Sequence, residues 1–182
     1  MHPFIHQISQ LFATQGNNSY GEDITQTEHA VQCAELAILT NESDELISAA
    51  LLHDIGHLIA TTDIAYGNYK HDSVGADFLS KHFGPSVTEP IRLHAQAKRY
   101  LCSVEPGYLE GLSAASLNSF NHQGGLMSDI EQQKFMAESY AKQAIKLRRW
   151  DDEGKVQELS QQPFDHYLAH LTASVIKAST TV

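Results

Sequence analysis

Cysteine is scarce in this sequence. The 182 residues contain two, Cys33 and Cys102, too few for a disulfide framework and without the paired spacing of a thiolate metal motif. Idle thiols in a reducing cytoplasm are the expectation. Positive charge is also short, with 12 basic against 22 acidic residues and a net charge of −10. Nucleic-acid backbone and anionic membrane are therefore excluded as main partners, because either would require a basic field. No apolar run approaches the ~20 residues of a membrane span, and Met1-His2-Pro3 does not open a basic segment leading into an apolar stretch. A soluble, unexported protein is expected. Strand-like alternation, internal repeats and low-complexity segments are missing as well, so residues 1–182 are expected to form a single all-α domain, a helical bundle.

Apolar residues at helical spacing are present nearly throughout. Phe4, Ile5, Ile8, Leu11 and Phe12 predict one helix, and Ile24 to Leu39, with an alanine-rich face, predicts a second. A third is predicted to start near Asn41 to Asp44, where short polar side chains can cap free amides, and to run unbroken to about Ile59. A helix from about His71 to Phe83 should stop at Gly84-Pro85, and the next should restart there. Ser128 with Glu131 reads as a capping box, followed by a bend near Ala137 and a helix to Trp150, while Pro163-Phe164 opens the last element.

The chemistry is concentrated in an ordered set: His29, His53-Asp54, His71, His94 and Asp151. Adjacent residues of a helix point about 100° apart, so His53 and Asp54 can both reach a metal pair held beside their helix. Four imidazoles and two carboxylates suit iron, manganese or zinc. His57 follows His53 by four residues and Lys98 follows His94 by four, which sets a donor one turn from each proposed ligand on the same face. Such donors fit a phosphate or phosphonate at the metals. Plainer readings stand beside these. A lone His is more often a surface or core residue, Lys98 alone reads as a solvated charge, Arg148 and Arg149 can complement a helix dipole, and Asp151-Asp152-Glu153 is an ordinary acidic helix exit.

The order His, His-Asp, His, His, Asp resembles the HD superfamily, helical proteins that bind one or two metals. Further segments, Glu22-Asp23-Ile24-Thr25-Gln26 leading to Glu28-His29, His94-Ala95-Gln96-Ala97-Lys98-Arg99-Tyr100-Leu101, Gln123-Gly124-Gly125 and Arg148-Arg149-Trp150-Asp151, are similar to its PhnZ-type branch of diiron oxygenases that cleave carbon–phosphorus bonds. The resemblance runs from about Ser19 to Tyr167 and implies one iron held by His29, His53 and Asp151, a second by His71 and His94, and Asp54 bridging them. It also implies that His57, Lys98, Ser116 and Arg148 hold phosphonate oxygens, with Ser119 and Gln123 as additions. Glu22 would receive a substrate amino group, and Tyr20 would match a metal-facing tyrosine. Only Gly21 separates Tyr20 from Glu22, where the family has two residues, and the 57–71 loop is shorter, so this chain departs from the pattern at the amine end of the pocket.

The implied activity is oxidative cleavage of 2-amino-1-hydroxyethylphosphonate, or an N-methylated analogue such as the trimethylammonio form, to phosphate and glycine or the corresponding betaine. Fe(II)/Fe(III) and dioxygen as cosubstrate complete that expectation. The main rival is a metal-dependent HD phosphohydrolase acting on a nucleotide or small phosphate ester. His57 stands where such hydrolases often carry Lys. A ligand-binding module without catalysis, which would lose ligands, and an inositol-oxygenase-like enzyme, which needs fewer phosphonate donors, fit the residues less well.

Overall fold

A computed structural model describes residues 2–19, 23–59, 70–159 and 161–176. Tyr20 and Glu22 lie outside the described residues, as does most of the 57–71 loop. Among the described residues, ten α-helices account for nearly all regular structure: α1 Pro3–Gln15, α2 Gln26–Leu39, α3 Asp44–Leu52, α4 Ile55–Ile59, α5 His71–Leu79, α6 Pro85–Val104, α7 Ala114–His122, α8 Asp129–Ala137, α9 Ala141–Glu153 and α10 Leu168–Ser174. Short 3-10 turns occupy Leu109–Gly111 and Phe164–Tyr167. Among the described residues the only β pairing is a single bridge between Phe83 and Val175, and no helix is long and apolar enough to cross a membrane.

Helix starts follow local chemistry. Thr25 and Glu28 close a capping box on α2, Ser43 caps α3 through the Leu46 amide, and Ser128 with Glu131 forms the expected box on α8. Pro85 begins α6, where its missing N–H costs nothing. The predicted helix from Asn41–Asp44 to Ile59 is two helices, broken at His53-Asp54. At the break His53 Nδ1 donates to the Ala50 carbonyl at 2.8 Å. The break removes the simple 100° argument, yet it leaves both side chains aimed at one centre. Helix α5 also stops at Leu79, short of Phe83.

Helices α2, α3, α6 and α9 surround the site; α6 packs along α9, α5 and α3, and α2 packs on α3 and α9. Buried Ile8, Ala34, Ala37, Leu51, Leu52, Ile55, Leu79, Ile91, Leu147 and Leu171 build the main core. Small side chains on facing helices, Ala34 and Ala37 on α2 with Ala49 and Ala50 on α3, let the backbones approach closely. A smaller cluster of Ala97, Met127, Phe135, Ala141 and Ala144 fixes α8 against α6 and α9.

Candidate metal centre

Asp54 stands at the middle of the predicted ligand set, and its two oxygens face different partners. Oδ2 lies 3.7 Å from His29 Nε2 and 3.6 Å from His53 Nε2. Oδ1 lies 3.3 Å from His71 Nε2 and 3.8 Å from His94 Nε2. On the first side Asp151 Oδ1 is 3.2 Å from His29 Nε2 and 3.8 Å from His53 Nε2. The two imidazole pairs are themselves close, 3.2 Å between His29 and His53 and 3.0 Å between His71 and His94. Donor atoms about 2.1 Å from a shared ion stand about 3.0 Å apart at right angles and about 3.4 Å apart at a tetrahedral angle, so both sides have the spacing of a coordination shell.

The histidine tautomers agree with that use. His29 Nδ1 donates to the Gly154 carbonyl at 2.8 Å, His53 Nδ1 to Ala50 and His94 Nδ1 to Ile91 at 2.7 Å. A carbonyl can only accept, so each Nδ1 carries its proton and each Nε2 turns a lone pair toward the centre. Lone pairs of His29 and His53 at 3.2 Å need a cation or proton between them. The carboxylates supply the matching charge. Burial would raise Asp54, but His53 and His71 hold it far below the usual carboxylate range. Burial likewise opposes ionisation of Asp151, and Arg148, His29 and His53 overcome it. His53, despite burial, is pushed up to about 9 by Asp54 and Asp151, which marks the position where positive charge is wanted. The nitrogen and oxygen donors thus fit a metal pair.

Two glycines permit this assembly. A Cβ at Gly56 would stand 2.0 Å from the His71 carbonyl oxygen, so only glycine lets α4 lie close enough on α5 to bring His71 to Asp54. Gly154 similarly faces Cys33 Sγ, which a Cβ would meet at 2.7 Å. Cys33 is not itself a thiolate donor: burial, then Asp151 and Asp54, push its thiol well up, and Sγ–H donates to the Trp150 carbonyl.

Beside the carboxylates lies a cluster of cations. Lys98, buried on α6, donates to Ser119 Oγ at 2.5 Å, and burial together with Arg148 pushes it down to about 8. Arg148 Nη2 reaches Ser116 Oγ at 3.3 Å. His57 stacks on His71 with ring centroids 4.2 Å apart, and burial with His71 lowers it to about 4. Gln123 closes α7, its amide bonded to the Ser119 carbonyl at 2.8 Å. The following Gly124 and Gly125 are tied down through their carbonyls by Arg99, which also pairs with Glu131. Helix α7, which carries Ser116 and Ser119, went unread in the sequence because its nine residues are short and mostly small or polar.

Arg148 does more than face Ser116. Its Nη1 donates to Asp151 Oδ2 at 2.6 Å, while Tyr108 and Asp152 hold the rest of the guanidinium. Helix-dipole compensation therefore does not account for it. Asp151 is a buried side chain within α9 rather than a solvated helix exit. Lys155, which the sequence reading passed over, also arrives here, 3.5 Å from Ser116 Oγ and 3.9 Å from Asp151 Oδ1. The available signal was its spacing, four residues after Asp151, as His57 follows His53 and Lys98 follows His94.

Comparison with known proteins agrees with this architecture. Residues 27–137 match the HD domain family, a span that holds His29, His53, Asp54, His71 and His94 and ends before α9. A hydroxymethylphosphonate dioxygenase of Gimesia maris is 43% identical over 168 residues, covering 90% of this chain and 84% of that protein. The [1-hydroxy-2-(trimethylamino)ethyl]phosphonate dioxygenase (glycine-betaine-forming) of Leisingera caerulea is 36% identical over 166 residues, covering 88% and 84%. With the paired histidines around His53-Asp54 and these similarities on both sides of α9's start, the chain belongs to the HD domain family, in its PhnZ-type branch.

Proposed function

We propose that this protein is a diiron oxygenase that uses dioxygen to cleave the carbon–phosphorus bond of a small 1-hydroxyphosphonate, and that residues 1–182 work as one HD-type domain. The observation that carries the reading is the division at Asp54: one oxygen faces His29 and His53, the other His71 and His94, with Lys98, Arg148 and Ser116 placed alongside. His29, His53 and Asp151 would hold one iron, His71 and His94 the other, and Asp54 both. The Fe(II)/Fe(III) pair would supply the redox capacity that lets dioxygen oxidise the hydroxyl-bearing carbon. Lys98, His57, Arg148 and Ser116, with Ser119 and Gln123 behind them, would hold the phosphonate oxygens and so fix that carbon at the metals. The burial of Lys98, Arg148 and the four imidazoles keeps bulk water from competing for these charges.

Both named relatives act on phosphonates, and they differ in what the carbon chain carries. Hydroxymethylphosphonate is the leading substrate, supported by the more similar of the two relatives. With one dioxygen it balances to formate and phosphate. The second reading is the amino-substituted substrate implied by Glu22, 2-amino-1-hydroxyethylphosphonate or its trimethylammonio form, giving glycine or its betaine; the Leisingera relative favours it. Phosphate release from these three compounds and from a simple phosphate monoester, with and without oxygen, separates the readings. Release only from the hydroxyphosphonates and only with oxygen is expected. Oxygen-independent release from the ester would establish the phosphohydrolase instead.

A further inference from the structure

We propose that Lys155 is a further recognition residue for the dianionic head group, acting with Lys98 on the doubly charged phosphonate. This rests on the reading of Lys98 and Ser116 as phosphonate contacts. Lys155 Nζ lies 3.5 Å from Ser116 Oγ, while Lys98 Nζ bonds Ser119 Oγ one turn further along α7. The two lysines therefore address the same stretch of one helix. Lys155 Nζ also stands 3.9 Å from Asp151 Oδ1. Asp151 does not depend on it, since Arg148 already donates to Oδ2 at 2.6 Å.

The backbone around Lys155 is held on both sides by α2. Just before it, the Gly154 carbonyl accepts from His29 Nδ1 at 2.8 Å and the glycine packs on Cys33. Just after it, buried Gln32 grips Val156 twice: its Nε2 donates to the Val156 carbonyl at 2.8 Å and its Oε1 accepts from the Val156 amide at 2.9 Å. A lysine beyond a helix end would ordinarily be mobile at its root. The backbone on both sides of this one is held, so its root does not have to be ordered when an anion binds. The same clamp fixes the carbonyl that orients His29, and Gln32 thereby links anion recognition to the metal side of the site.

The test uses metal-loaded protein held without oxygen, with inorganic phosphate and methylphosphonate titrated calorimetrically and metal content measured on the same samples. Lys155→Met is expected to keep the parent's metal content while its Kd for both probes rises about tenfold or more, the loss expected for a charge-assisted contact. Lys155→Arg should recover part of that loss. In turnover, KM should rise more than kcat falls. Unchanged affinity in Lys155→Met would overturn the assignment, and so would metal loss from it, which would make Lys155 a support for Asp151. The oxygenase reading is judged separately: a parent that binds both probes yet releases no phosphate from hydroxyphosphonates when oxygen is admitted would sink that reading, while the Lys155 titrations still decide this one.

Discussion

Replacing Arg148 with Met would test whether this side chain serves the metal site as well as the substrate. The guanidinium and the Asp151 carboxylate are both buried, 3% and 8% exposed, and meet at 2.6 Å. Methionine fills much of the volume but leaves Asp151 Oδ2 without its donor and strands Asp152 and Tyr108 on the other side. Breaking a buried ion pair by removing one partner costs about 3–5 kcal/mol, because the remaining charge stays desolvated. In a domain of this size that corresponds to a fall in Tm on the order of 10 °C. Asp151 would also lose the contact that keeps Oδ1 aimed at His29 and His53. The expected outcome is therefore two defects together, lower metal content after desalting and a lower melting temperature, where resemblance alone implied only weakened substrate binding. Lys98→Met serves as the comparison, since Lys98 bonds Ser119 and touches no carboxylate ligand. An Arg148→Met protein with the parent's metal content and Tm would refute the reasoning.

Asp54→Ala should reduce metal content on both sides of the site, because each pair of histidines loses its shared carboxylate; retention of two ions per chain would contradict the bridging role. Lys98, pushed down to about 8, is charged below that pH and loses its proton as pH rises through it. KM for a phosphonate should accordingly climb above about pH 8 in the parent, and Lys98→Arg, which stays charged, should flatten the rise. Gly56→Ala sets a Cβ against the His71 carbonyl, a backbone atom that cannot rotate away, so we expect destabilisation of several kcal/mol and weaker metal retention by denaturation and metal analysis. Glu22→Gln should keep its metals and lose preference for amine-bearing over amine-free substrates; an unchanged preference order in specificity constants would assign Glu22 no part in reading the amine.

The residues of the candidate site were more legible than their setting. His29, His71, His94 and Asp151 could be picked out because the HD pattern names them in order, and Thr25 and Pro85 mark the starts of the helices that carry His29 and His94. The break at His53-Asp54 was not legible, because hydrophobic spacing continues across it from Leu46 through Ile55 and Leu58. Gly56 looks like an ordinary helix glycine until the His71 backbone is seen against it. The double duty of Arg148 lies in its bond to Asp151, with Asp152 and the sequence-distant Tyr108 holding the rest of the guanidinium, and Lys155 depends on a turn at Gly154 that periodicity does not describe. Helical period records which face is buried; it carries no information on which polar partner waits there.

The most direct measurement of the central claim is made on iron-loaded protein mixed with hydroxymethylphosphonate under strict anaerobiosis and then given a known amount of oxygen, with phosphate and oxygen both followed. The account predicts no phosphate before oxygen enters and then one phosphate for each dioxygen consumed, with formate as the carbon product. Phosphate appearing before oxygen is admitted, or oxygen consumed without phosphate from this substrate and from its amino-substituted relatives, would contradict it.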